Sequence, residues 1–299
     1  MSAATTKDRH PSVEALLKHF GEKKPKALIR RLAQEKVSYA KRHGWSGPAF
    51  CPRQLCSLFG IRCFEVEHDI DGDGRILLGA NGRPKIEYAA GRMKERQAFT
   101  IFHEFAHTLF PDYCDFLPLH HAAAQSSPEE KEFESLCDTA AAEMLFPSDE
   151  FTDDLKGIGR LHFPELLRLQ QRYGGSLDAT CYRMAELISA IPVSFAFMTD
   201  QRGSFSGGGP LWVKHSSGNK LFKGYIKGGE RPPKDSVATI CYAEQSQSVG
   251  PVRETWWIDG SPRSYMAEAV KLPTVANPDY PKLVVILLPL SYKGGSLCI

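Results

Sequence analysis

His103-Glu104-Phe105-Ala106-His107 is the stretch of this chain whose residue types and spacing point most directly to chemistry, and it sits inside the apolar run Phe99 to Phe110. Residues four apart share a helix face, so both imidazoles can reach one metal ion. The glutamate between them then lies beside that ion, where a carboxylate can take a proton from water. Phe102, Phe105, Ala106 and Leu109 recur at helical spacing and predict a helix buried along one side. Two imidazoles and a carboxylate facing a core are costly to desolvate, and a zinc ion offsets that cost. The competing reading is a packed helix with two incidental histidines, and a third ligand would decide against it.

Catalytic zinc usually takes three protein ligands and keeps a fourth position for water. Downstream, Ser127 to Pro147 reads as a helix: Ser127 with Glu130 forms a capping box, Pro128 suits the first turn, and Pro147 marks the stop. Phe133, Cys137, Ala140, Ala141 and Met144 make its apolar stripe. Glu130, Glu134 and Asp138 follow at four-residue steps beside that stripe. Such a row is ordinarily a solvated acidic face, but here it borders a buried stripe downstream of the paired histidines, so it supplies the candidate ligand. A metzincin would continue the first motif with a glycine and a third histidine, and Phe110 and Tyr113 stand in those places. His120 and His121 read as loop residues, with an outside role in binding a substrate carbonyl.

With both blocks quoted, the chain resembles the ImmA/IrrE metallopeptidases. Arg96 to His107 is similar to their R-x-x-F-T-x-x-H-E-x-x-H block, and Glu134 to Pro147 to their E-x-x-A-N-x-F-A-x-x-L-L-x-P block. The resemblance spans roughly residues 25 to 190. It implies that His103, His107 and Glu134 are the zinc ligands and Glu104 the general base. Asp138 falls where the family has Asn or Asp, and thermolysin-like enzymes use the same spacing to orient a ligand histidine. Phe105-Ala106 replaces the commoner Leu-Gly, Cys137 an Ala, Ala140 a Phe and Met144 a Leu; these departures touch packing rather than chemistry. The resemblance also implies a substrate, a helix-turn-helix transcriptional repressor cut to release a stress, mobile-element or phage-defence operon.

The elements that must position these residues belong to a soluble type of chain: 299 residues, 42% hydrophobic, 24% charged and a net charge of +2. No apolar leader segment is visible near Met1, so the expected location is cytoplasmic and the eight cysteines are expected to be reduced thiols, with Cys51 and Cys56 in the core. Leu283 to Leu288 is too short to span a bilayer and reads as a buried strand. Bulk charge names no partner, but Lys214, Lys220, Lys223, Lys227, Arg231 and Lys234 face a single acid, Glu230, with Trp212, Phe222 and Tyr225 interleaved. Basic side chains among aromatics suit single-stranded nucleic acid, with Lys220, Lys223 and Lys227 as candidate contacts; a solvated hairpin is the plainer reading.

The expected fold class is α+β, a mainly helical zincin-like domain with a small sheet, then a β-rich sensor-like domain. Residues 1–24 are expected to be a poorly ordered start with a short helix at Val13 to Phe20, residues 25–190 the metallopeptidase domain, and residues 191–299 the C-terminal domain. Pro25 to His43 predicts a basic amphipathic helix, Pro52 to Phe59 a helix closed by Gly60, and Ile61 to His68 a strand. Asp69 to Gly74 mimics a calcium loop but lacks the closing glutamate, Ala80 standing there, so a hairpin turn is expected. Lys85 to Ala89 is expected to offer a substrate-binding edge. Phe163 to Tyr173 and Leu177 to Ala190 read as packed helices, since Asp178 and Glu186 outnumber Arg183 on the second and suit a DNA groove poorly. Strands are expected at 193–198, 211–215, 237–242, 253–258, 265–272 and 283–288.

These expectations combine into a zinc endopeptidase, with Tyr113, His120, His121 and Tyr182 as candidate donors to an oxyanion. Cys114, in the loop after the histidines, is a candidate inhibitory fourth ligand. The rival reading is a regulatory ligand- or nucleic-acid-binding protein whose zinc site is structural or nearly inactive. An intact Glu104 argues against that rival, because a structural site needs no base.

Overall fold

The computed structural model describes residues 9–67, 70, 72–79, 82–116, 127–200, 210–244, 246–272, 281–295 and 297–298. Its contacts divide into two compact units, the first reaching Pro147 and including Arg172–Gly175, the second holding Ser148–Gln171 and Ser176 onward. This division differs from the expected boundary at 190, because the segment after Ser148 bonds to β-rich sequence much later in the chain. The Leu161 N–H reaches the Tyr292 hydroxyl at 3.1 Å and the Phe163 N–H reaches Glu268 Oε2 at 3.1 Å.

In the first unit, α1 (Pro11–Phe20) falls within the stretch expected to be poorly ordered, yet it buries Val13, Leu16 and Leu17. His10 Nδ1 accepts from the Ser12 N–H at 3.2 Å and so caps it. α2 (Pro25–Arg42) buries its predicted Leu28, Leu32 and Val37 together with Ile29, Ala33 and Ala40. α3 (Pro52–Leu58) leads into β1 (Arg62–Val66), followed by β2 (Gly74–Leu78) and β3 (Pro84–Ala89). The sheet order is β1-β3-β2, with β3 parallel to β1 and antiparallel to β2. The expected edge at Lys85 to Ala89 is therefore corrected: β3 is central, its Ile86, Glu87 and Tyr88 all buried, and β2 is an edge. Asp73, in the calcium-like run, pairs with Arg92 at 2.9 Å and also with Arg96, so it serves the helix that follows. Asp69 and Asp71 of that run lie outside the described residues.

α4 (Lys94–Ala106) ends in a tight turn of 3-10 helix, His107–Leu109, and is followed by α5 (Tyr113–Phe116) and α6 (Pro128–Leu145). α4 turns Phe102 and Phe105, 0% and 1% exposed, into the core, against Trp45 at 6.2 Å and Phe59 at 5.4 Å between ring centres. Burial of each such ring contributes about 2–3 kcal/mol. α6 is anchored to α2 through Glu143, which accepts from Gln34 Nε2 at 3.3 Å and lies 3.7 Å from Arg30 Nε.

The second unit contains α7 (Ser148–Lys156), α8 (Phe163–Tyr173, with Arg172 and Tyr173 in the first unit), α9 (Leu177–Leu187), β4 (Ser194–Thr199) and β5 (Trp212–Gly218). α10 (Val237–Glu244), β6 (Ser248–Ile258), β7 (Ser261–Lys271) and β8 (Leu283–Pro289) complete it. The sheet runs β5-β4-β8-β7-β6, antiparallel throughout. β4 is buried at every position and β8 at all but its last, as their apolar runs predict for central strands. One expected strand is corrected: residues 237–242 are helical. Ser236 Oγ accepts the Thr239 N–H at 3.3 Å, Glu254 Oε1 accepts the Val237 N–H, and Val237, Ala238 and Cys241 turn into the core at helical spacing. Arg183 on α9 is 2% exposed and bonded to Glu186 and Ser148 Oγ, so it packs rather than faces DNA. Among the described residues, no helix is long and apolar enough to cross a membrane.

Candidate metal centre

His103 lies on the last turn of α4 and His107 opens the tight turn after it, so the chain tightens between the paired imidazoles. Glu134 sits two turns into α6, where Ser127 Oγ accepts the Glu130 N–H at 3.1 Å and sets the start of the helix as the capping box predicts. The result is a convergence: one donor atom from each of His103, His107 and Glu134, all within 4.8 Å of one another. Of the acidic row, Glu134 and Asp138 meet His103, whereas Glu130 pairs with His10 Nε2 at 3.3 Å.

The two faces of His103 are held differently. Nε2 lies 2.9 Å from Glu134 Oε2, and Nδ1 lies 2.9 Å from Asp138 Oδ1. Burial pushes its pKa down, but the bonds to Asp138 and Glu134 outweigh that and raise it to about 10. A metal entering here must displace the Nε2 proton, while Asp138 keeps the ring aimed. His107 is 7% exposed, packs against Phe133 at 5.3 Å between ring centres, and has Cys137 Sγ 3.7 Å from its Nδ1. Burial, then the Glu134 and Glu104 carboxylates, push the Cys137 thiol up, so it stays neutral.

Glu104 is 9% exposed. Burial raises it to about 7, with Glu134 adding to the rise and His103 and the Ile76 N–H opposing it. That N–H belongs to β2. The Ala89 N–H to Asp73 and Gly79 N–H to Arg83 bonds, both 2.8 Å, turn alternate residues of β2 toward β3 and leave Gly74, Ile76 and Leu78 facing off the edge. Gly74 makes this close approach possible: a Cβ there would fall 2.4 Å from Thr100 Cγ2 and 3.3 Å from Glu104 Cγ. Arg96 ties the start of α4 to the same strand through Asp73, with Nε at 2.6 Å from Oδ2.

The remaining sequence candidates are placed as follows. Cys114 is exposed, bonds to the Tyr113 hydroxyl, and is not among the donors that converge; that bond, with burial, lifts Tyr113 to about 12. His120 and His121 lie outside the described residues. Tyr182 belongs to the second unit, where its hydroxyl pairs with His215 Nε2 and its ring stacks on Phe197. Lys220, Lys223 and Lys227 are exposed, but Phe222 is core and Arg231 covers Trp212 at 4.4 Å, which leaves Tyr225 as the exposed aromatic of the three. Cys51 is exposed rather than core, while Cys56 is buried as expected. Missed at the sequence level were the Cys137 contact with His107 and the Arg96–Asp73 pair; a cysteine within an apolar stripe gives no signal that distinguishes packing from hydrogen bonding.

Residues 59–185 match the IrrE N-terminal-like domain of the Peptidase_M78 family. Over that stretch the chain is similar to the ImmA/IrrE metallopeptidases. It is 28% identical over 191 residues to the radiation response metalloprotease IrrE of Deinococcus radiodurans, covering 60% of this chain and 53% of that protein. The IrrE of Deinococcus deserti is 29% identical over 181 residues, covering 59% and 58%. The matched region thus spans little more than half the length of both relatives. Among solved structures, a Mycobacterium tuberculosis transcriptional regulator shares the fold, with a TM-score of 0.55 at 18% identity over 89% of this chain and 92% of that one. The matched domain implies a bound metal, and two imidazoles with one carboxylate suit such an ion.

Proposed function

We propose that this protein is a zinc-dependent endopeptidase that cleaves a helix-turn-helix transcriptional repressor, releasing a stress, mobile-element or phage-defence operon. Residues 25–190 act as its zincin-like metallopeptidase domain and residues 191–299 as a sensor-like domain. The observation that carries this reading is a set of three convergent donors with a buried carboxylate immediately beside one of them. The metalloprotease names of both Deinococcus relatives support it.

His103, His107 and Glu134 would hold the zinc ion, which would supply Lewis acidity toward a peptide carbonyl and water. Glu104 takes the proton of the attacking water and returns it to the leaving amine. Burial raises Glu104 in the metal-free protein, which favours a carboxylate able to hold a proton and pass it on. Asp138 acts through His103 by fixing the ring from its far nitrogen. β2, rather than β3, offers the edge against which an extended peptide can lie, with Gly74 and Leu78 turned outward beside the base.

The test is cleavage of a purified helix-turn-helix repressor by the zinc-loaded chain. A single cut is expected, abolished by a chelator and by Glu104→Gln with zinc still bound. A repressor left whole, or a cut that survives Glu104→Gln, favours the regulatory binding protein instead.

A further inference from the structure

Cys56 and Cys63 have no part in the metal centre, yet the fold brings them together. Cys56 lies on the last turn of α3, and its carbonyl accepts the Ile61 N–H at 2.9 Å, closing the turn that sends the chain into β1. Cys63 is the second residue of β1, in register with Ile86, and two residues before Glu65, which is in register with Tyr88. Side chains alternate along a strand, so Cys63 shares the face of Ile86 and Tyr88, which are 0% and 3% exposed. On that face its thiol hydrogen-bonds the thiol of Cys56, which is itself 0% exposed. Cys63 is only half-buried, so one member of the pair is reachable from solvent and the other is not. The bond from Cys56 lowers the Cys63 thiol, burial opposes that, and the Arg53 guanidinium lowers it further, while Cys56 is pushed up.

We propose that Cys56 and Cys63 form a redox-active dithiol that hydroperoxides close to a reversible disulfide, tying α3 to β1. The sulfur of Cys63, as thiolate, attacks one oxygen of the hydroperoxide. An S–O bond forms, the O–O bond breaks, and the leaving oxygen takes a proton to become an alcohol, or water from hydrogen peroxide. The Cys56 sulfur then attacks the sulfenic sulfur; the S–S bond forms, the S–O bond breaks, and hydroxide leaves with the Cys56 proton as water. Two electrons pass from the thiol pair to the peroxide, and a dithiol reductant reverses the change. Phe59, the residue that follows α3, packs on Phe105 of the metal helix, so the crosslink would tie down an element next to that helix. The inference stands independently of the peptidase reading.

The experiment is thiol mapping of the full chain after brief treatment with hydrogen peroxide. Trypsin cuts after Arg42, Arg53 and Arg62, which puts Cys51, Cys56 and Cys63 on three separate peptides. A crosslink between the Cys56 and Cys63 peptides is expected, with both thiols lost to alkylation and restored by dithiothreitol. In Cys56→Ser, Cys63 should stop at a sulfenic acid trapped by dimedone, and Cys63→Ser should yield no crosslink. The proposal is overturned if both thiols stay alkylatable while exposed Cys51 or Cys114 is oxidised, or if Cys63 links to Cys51. An unmodified Cys63 in Cys56→Ser, with its far-ultraviolet spectrum unchanged, also overturns it.

Discussion

Glu104 in the first unit and Glu254 and Glu268 in the second are all raised by burial, and what surrounds them separates chemistry from architecture. Glu254 accepts the Val237 N–H at the head of α10 and the Trp256 indole N–H at 3.0 Å. Glu268 accepts the Phe163 N–H at the head of α8. Both carboxylates are committed to helix ends, where an acceptor satisfies an orphan donor and negative charge favours the dipole. Among the described residues Glu104 has one backbone partner, the Ile76 N–H, and it faces a histidine and another carboxylate rather than a helix end. A buried carboxylate becomes a base when its lone pairs are not already used to hold a helix.

The largest effect expected in this contrast is loss of the metal. His103→Ala, His107→Ala and Glu134→Ala should each weaken zinc binding by a factor of at least ~1,000, read by chelator competition, because removing one of three protein ligands leaves too few. Full occupancy in Glu134→Ala would move the third ligand elsewhere, with Asp138 the first suspect. The same titration should show affinity rising with pH between 6 and 9, about tenfold per unit, because His103 near 10 must release one proton. A flat profile would mean that His103 does not carry that proton.

Glu104→Gln should remove about 100- to 10,000-fold of peptidase activity with zinc retained. In metal-free protein it should have the opposite sign for stability. The folded pKa of Glu104, about 7, lies above its unfolded value, so its contribution is fully present at low pH and is lost as pH rises through 7. Glutamine carries no charge to bury, so the variant should be up to about 3 kcal/mol more stable than the parent above pH 8 and nearly equal below pH 5. Thermal unfolding in chelator at the two pH values checks this; equal melting shifts at both would sink the assignment. Asp138→Asn, which weakens the aim of His103 without removing a ligand, should lower zinc affinity about 10- to 100-fold.

How much of this was legible in the chain follows from where each interaction lies. The paired histidines are readable because a four-residue step on an apolar helix fixes their common face. α6 was equally readable, since Ser127, Pro128 and Pro147 mark its ends; which of Glu130, Glu134 and Asp138 would meet His103 came from the resemblance rather than from the spacing. The centre or edge position of β3 was not readable, because it depends on pairing with β2, a five-residue strand hidden behind a turn-like run of aspartates and glycines. Val237 to Tyr242 looks like a strand by its β-branched residues, and the helix wins through Ser236 and a carboxylate many residues later in the chain. How much of the basic aromatic segment is open was unreadable for the same reason: the exposure of Phe222 and Trp212 is set by Tyr265, which stacks on the first, and Arg231, which covers the second.

The smallest expected effect tests the other side of the opening contrast. Glu268 is 7% exposed and its Oε2 accepts the Phe163 N–H at 3.1 Å. Glu268→Ala removes that acceptor at the head of α8 and should cost about 1–2 kcal/mol of stability, the usual loss for a helix cap. Glu268→Gln keeps an amide oxygen in reach of the same N–H and should recover most of that loss. Burial raises Glu268, so its charged form is the less stable one; Gln should therefore do best, relative to the parent, as pH rises through the raised value. Peptidase activity should follow neither substitution, because the carboxylate serves a helix end rather than a proton transfer. If Glu268→Gln instead lowers peptidase activity at unchanged melting temperature, Glu268 has a role beyond capping and the contrast with Glu104 fails.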